Sequence, residues 1–222
     1  MKNNKIYFTL LALFTAIPLG YLTLSWAKLP EKVPMHFDMD GNVNRYGSKW
    51  ELAFLTLFLS SIILLLQLFV KIDPKKESIA ANQPKYRMIF LAIAGFLAFI
   101  QIEIISTAIS VGNAFNANLV LAGVGLLMAV LGNYMQNLKP NYFMGIRTPW
   151  TLNNEEVWRR THLICGKWMF YYGLVTVVLM FLLPTSISFY IFTAGILLIT
   201  VGAFYISYSI HKKVEKEGAD LG

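Results

Sequence analysis

MIFLAIAGFLAFIQIEIISTAISV, residues 88–111, is apolar along nearly its whole length, with Glu103 as its single charged side chain. A hydrocarbon core about 30 Å thick needs ~20 helical residues to cross it, so this run is long enough to span. Five more runs approach that length, at 6–26, 52–70, 119–135, 168–183 and 188–210. Inside lipid a backbone must satisfy its own hydrogen bonds, which makes each run a helix. The first run follows MKNNK and imitates a secretion signal, but it exceeds the ~7–15 residues of a usual signal core and is read as a retained span. The whole composition agrees. Of 222 residues, 56% are hydrophobic and 14% are charged, whereas soluble domains carry about 25% charge. The expected fold is an all-α polytopic bundle of about six transmembrane helices.

Positive charge fixes the orientation. Lys2 and Lys5, then Lys71, Lys75, Lys76, Lys85 and Arg87, then Lys139, Arg147, Arg159, Arg160 and Lys167, and lastly Lys212, Lys213 and Lys216 fall on one side of a six-span chain. On the other side Lys28, Lys32, Arg45 and Lys49 are offset by Glu31, Asp38, Asp40 and Glu51. Both termini are therefore expected in the cytoplasm. In this setting the net charge of +7 reflects anionic lipid rather than direct binding of nucleic acid. Cys165 is the only cysteine, so an internal disulfide and a cysteine metal cluster are excluded.

Two connections are too long for hairpin turns, which usually take ~2–8 residues in bundles. The external one, 28–51, holds Pro30 and Pro34, which favour extended backbone, and an Asp40-Gly41-Asn42 turn. It is expected to form a compact lid, with Phe37 and Trp50 dipping toward the interface. His36 among the carboxylates of Glu31, Asp38 and Asp40 is a poor transition-metal set, so no metal or other cofactor is expected. The cytoplasmic connection, 132–167, contains Gly145 for a tight bend and Pro149 to redirect the chain. Thr151 and Asn153 or Asn154 can cap a short helix whose first turn carries Glu155 and Glu156. On that helix Trp158, His162 and Cys165 share a face. Such a helix suits an amphipathic interfacial segment. It also suits a binding surface using Arg147, Trp150 and His162.

Gly132-Asn133, Lys139-Pro140-Asn141, the run Gly145-Ile146-Arg147-Thr148-Pro149-Trp150-Thr151-Leu152, then Trp158 and Thr161-His162 resemble the motif of the SdpI immunity-protein family. The external loop, with Leu29-Pro30, Val33-Pro34, His36-Phe37, Gly41 and Tyr46-Gly47-Ser48-Lys49, is similar to that family's N-terminal domain of unknown function. The resemblance implies a bacterial plasma-membrane protein that protects its cell against a secreted killing peptide. It further implies a relay in which a cytoplasmic transcriptional repressor is held at the membrane. The residues it singles out are Asn133, Asn141, Gly145, Arg147, Thr148, Pro149, Trp150, Trp158 and His162 on the cytoplasmic loop. On the external loop they are Pro30, Pro34, His36, Phe37, Gly41 and Lys49. Expected partners are membrane lipid, a peptide toxin and that repressor; the oligomeric state is left open.

A second reading is transport. Residues 1–111 and 112–222 each read as helix, long loop, helix, helix, and with three spans per half the halves would insert in opposite senses, a 3+3 inverted arrangement. Glu103, an acid within a span, is a functional candidate by default. Its alternative is a wet helix end, or pairing with Arg45 or Lys49. An enzyme is not expected. His36, His162 and His211 are scattered over both faces, none of the aspartates lies in a span, and no hydrolase or phosphate-loop motif occurs.

Overall fold

The computed structural model describes residues 2–38, 42–69, 76–110 and 115–219. Seven helices and one hairpin follow in order: α1 (Lys2–Ser25), β1 (Lys32–Phe37), β2 (Val43–Ser48), α2 (Lys49–Phe69), α3 (Lys76–Ile109), α4 (Ala117–Met135), α5 (Pro149–Asn153), α6 (Glu155–Leu182) and α7 (Thr185–Ala219). All except α5 are long and apolar enough to cross a membrane, so the expected six-span helical bundle is what the chain forms.

Three helices overshoot the bilayer. At 1.5 Å per residue, the 34 residues of α3 and the 35 of α7 each reach about 50 Å, against a hydrocarbon core of about 30 Å. The 28 residues of α6 reach about 42 Å. Their polar surplus lies at one end of the bundle, the cation-rich end, as the first part of α3, the first part of α6 and the last part of α7. The short helix expected after Asn154 is thus continuous with the fifth span, and the part of α3 before residue 88 extends the third span in the same way. Pro84 sits inside α3, where it removes one backbone donor without ending the helix.

At the opposite end the external loop is a two-stranded antiparallel hairpin, pairing Lys32 with Ser48 and Pro34 with Tyr46. Two strands alone are marginal in water, and this pair is anchored from below. Val33 is fully buried with Leu29, Leu52 and Ile105, which fastens β1 to α2 and α3. The start of α2 is closed by reciprocal bonds: the Ser48 N–H donates to Glu51 Oε1, and the Glu51 N–H donates to Ser48 Oγ, both at 3.2 Å. This is a capping box.

The tightest helix pair is α4 against α6, and small residues make it. A β-carbon on Gly132 would lie 2.7 Å from the Gly166 carbonyl oxygen, and one on Gly125 2.9 Å from that of Gly173. Gly125, Ala129 and Gly132 on α4 face Gly166 and Gly173 on α6, so the two backbones touch.

Candidate functional site

At the cation-rich end, the chain between α4 and α6 runs through a cradle formed by the three helical extensions. Irregular backbone can be buried only if its polar groups find partners, and here side chains supply them. From α3, fully buried Asn82 clamps Lys139 twice, its amide donating to the Lys139 oxygen at 3.2 Å and its carbonyl accepting the Lys139 N–H at 3.1 Å. Lys85, one turn on, donates to the Asn137 carbonyl. From α6, the Trp158 indole donates to the Leu138 oxygen at 2.7 Å.

Asn141 is also fully buried and organises the next turn, its carbonyl accepting the N–H groups of Phe143 and Met144 at 2.9 and 2.7 Å. The chain then reaches Gly145, whose φ of +109° is open to glycine and costly for other residues. Immediately after it, the Ile146 N–H donates to Nε2 of His162 at 2.9 Å, while Nδ1 of the same ring donates to the Trp158 carbonyl at 2.8 Å. An imidazole accepting at one nitrogen and donating at the other is neutral, protonated on Nδ1. His162 is fully buried and stacked on Trp158 with centroids 4.0 Å apart. Thr148 and Thr151 close the segment with a capping box at the start of α5, and Pro149 takes the first helical position, where its missing donor costs nothing. Asn154 then caps α6 through the N–H groups of Glu156 and Val157.

Of the residues singled out on this loop, Asn141, Thr148, Trp158 and His162 are buried structural ties, and Gly145 is the bend they secure. Arg147, Pro149 and Asn133 are exposed, and Arg147 donates to the Tyr142 carbonyl at 2.7 Å. Trp150 is half-buried against α7, edge-on to Tyr208 at 5.2 Å and 6.2 Å from the His211 ring. Arg160 joins Glu156 at 2.5 Å and Glu217 at 3.2 Å, tying α6 to the end of α7. The outer surface of this cap therefore offers Tyr142, Arg147 and Pro149 on a fixed backbone. Sequence reasoning missed Asn82 and Lys85. Only their position in a polar helical extension marks them, and that extension is visible once α3 is known to begin before Pro84.

At the hairpin end, His36 is exposed and bonds Asn44 Oδ1 through Nδ1 at 2.6 Å. Phe37 is half-buried and stacks on Phe115 at 4.5 Å. Pro30 is half-buried ahead of β1, Pro34 stands within it, and Gly41 lies outside the described residues. Lys49 pairs with Glu31 at 2.6 Å and lies over the Trp26 ring at 5.3 Å, while Arg45 pairs with Glu51 at 3.2 Å. Both cations proposed as partners of Glu103 are thus engaged elsewhere. Glu103 is half-buried in the outer part of α3, and beside it Gln101 is buried and accepts from Ser60 at 3.2 Å. Among the described residues, no three His, Cys, Asp or Glu side chains converge as a metal site would need.

The SdpI/YfhL protein family model matches residues 137–209, and the model of DUF1648, a domain of unknown function, matches residues 13–60. The first match covers the pinned segment with α5, α6 and most of α7, and the second covers the hairpin with about half of α1 before it and half of α2 after it. A curated relative, the Immunity protein SdpI of Bacillus subtilis (strain 168), is 28% identical over 218 residues, covering 96% of this chain and 98% of the relative. No solved structure matches. With six helices able to span, the chain is a multi-pass protein of the bacterial plasma membrane, and over residues 137–209 it is similar to the SdpI/YfhL protein family.

Proposed function

We propose that this protein confers immunity on its cell against a secreted, membrane-active peptide. The observation that carries the reading is end-to-end similarity to a protein named for immunity, spanning the external hairpin and the pinned cytoplasmic segment alike. By the charge rule the hairpin faces outward, where such a peptide arrives, and the cap faces the cytoplasm. Protection is by binding: a peptide held at the hairpin end does not assemble or insert elsewhere in the bilayer. The cytoplasmic cap then serves as the recognition surface for a repressor, through Tyr142, Arg147 and the neighbourhood of Trp150. For a signal to pass, the bound peptide must favour one of two arrangements of the cap through a difference in affinity. The test is expression in a peptide-sensitive bacterium, with survival scored across a panel of secreted bactericidal peptides. Protection against one of them supports immunity, and equal killing with and without the protein across the panel overturns it.

A further inference from the structure

Two sets of elements, α1–α3 with the hairpin and α4–α7 with the cap, are joined unequally along their length. At the cytoplasmic end they share a core, in which Tyr86, Ile89 and Phe90 of α3 pack with Met135, Leu138 and Cys165 of the second set. Asn82 and Lys85 fasten the same level through their bonds to Lys139 and Asn137. The other two core clusters each lie wholly within the first set. One joins α1, α2 and α3 through Tyr7, Leu11, Ile63 and Ala94. The other joins the hairpin to α2 and α3 around Val33, Leu52 and Ile105. The second set is held to itself by the glycine seam of α4 and α6.

Away from the cytoplasmic core, two cavities separate the sets. One of about 670 Å³ lies beneath the hairpin, bordered by Leu55 and Ile104 from the first set and by Val120, Leu121 and Phe189 from the second. Another of about 500 Å³ lies between α1 and α6, bordered by Phe14 on one side and by Val177 and Phe181 on the other. Between these cavities the sets meet where the Phe96 and Phe99 rings rest on Gly123, to which a β-carbon would bring contacts of 3.2 and 3.0 Å. Gly123 has no side chain to interlock with those rings, so this contact permits sliding. Walls that face a void lack partner atoms on one side, and bringing them together recovers those contacts. We infer that α1–α3 and α4–α7 move as two bodies about the shared cytoplasmic core, and that the outer cavity between α2 and α7 closes as they tilt together. From Phe90 to Ile109 α3 extends about 30 Å, so a hinge tilt of about 10° moves its outer end by ~5 Å. The cap lies at the pivot, and the Asn82–Lys139 clamp is loaded by that motion. The inference goes beyond the immunity reading and stands without any peptide.

The experiment is double electron–electron resonance on the full-length protein in phosphatidylcholine nanodiscs, in a Cys165→Ala background. Spin labels at Phe54→Cys and Tyr190→Cys, both exposed, report on the outer ends of α2 and α7. Labels at Ala81→Cys and Asn153→Cys, also exposed, report across the cytoplasmic core. The outer pair is expected to give two distance populations about 5 Å apart, and the cytoplasmic pair a single one. Leu55→Trp and Leu121→Trp fill the outer cavity from opposite walls. Each is expected to remove the shorter outer population and to leave the cytoplasmic distance unchanged. A single outer population as narrow as the cytoplasmic one overturns the inference, and so does a shorter population that persists in both filled variants. Two populations at the cytoplasmic pair overturn it as well, because the shared core is then no pivot. None of these results bears on immunity, which the survival assay decides separately.

Discussion

Gly145 and His162 divide one small space between them: a β-carbon on residue 145 would run into Nε2 of the His162 ring, the atom that holds the next backbone N–H. The glycine is thus required twice, once for its φ of +109° and once for the ring beside it. Gly145→Ala is expected to cost about 1–3 kcal/mol from backbone strain alone, and more if the imidazole is displaced. The check is thermal melting in detergent together with tryptic cleavage at Arg147, which should accelerate. An alanine variant that melts and resists trypsin as the wild type does would deny the tight packing.

His162→Phe isolates the hydrogen bonds from the stacking. A phenyl ring can still lie on Trp158, but it offers nothing to the Ile146 N–H, and leaving that buried donor unpaired is expected to cost about 1–3 kcal/mol. Hydrogen exchange should show faster loss of protection in the peptide containing residues 143–148, with little change in the membrane-embedded part of α6. Unchanged exchange there would mean that the imidazole holds nothing.

Asn82 tests whether α3 and the cap are one mechanical unit. Asn82→Asp keeps an acceptor for the Lys139 N–H and loses the donor to the Lys139 oxygen, whereas Asn82→Leu loses both. The expected order of stability is wild type, then Asp, then Leu, with each lost bond costing about 1–3 kcal/mol in this buried setting. Equal melting of all three would show that the clamp contributes nothing.

The α4–α6 seam gives a prediction inside the membrane. Gly132→Ala and Gly173→Ala each place a methyl group against backbone of the facing helix, and such overpacking typically costs about 1–3 kcal/mol. Gly20→Ala is the control, since a β-carbon there meets nothing within 4 Å. Differential melting of the three variants decides it.

Much of this architecture is legible in the residues, and the illegible part has physical causes. The spans follow from apolar length, because no other structure survives in hydrocarbon, and the 88–111 run lies within α3 apart from its last two residues. The shared face of Trp158, His162 and Cys165 follows from helical spacing, and all three are buried. Their role does not follow from spacing. A histidine facing a binding surface and a histidine locking a glycine turn look alike until Ile146 is seen at its Nε2. The hairpin was half visible, as extended prolines and a turn, but strand pairing depends on Val33 finding Leu52 and Ile105, contacts distant in the chain. The α4–α6 seam escaped for a related reason. Its glycines are seven apart, at 125 and 132 and again at 166 and 173, so neither helix contains a four-residue glycine motif, and the seam exists only when the two helices meet.

Sidedness can be measured directly by labelling single cysteines, in a Cys165→Ala background, with a membrane-impermeant maleimide on intact cells. Tyr46 on the hairpin is 59% exposed and Tyr142 on the cap is 48% exposed, so Tyr46→Cys and Tyr142→Cys are both reachable from their own compartment. Tyr46→Cys should label in intact cells, and Tyr142→Cys only after permeabilisation. Labelling of both from outside would place hairpin and cap on the same face and contradict the six-span arrangement on which each proposed role depends.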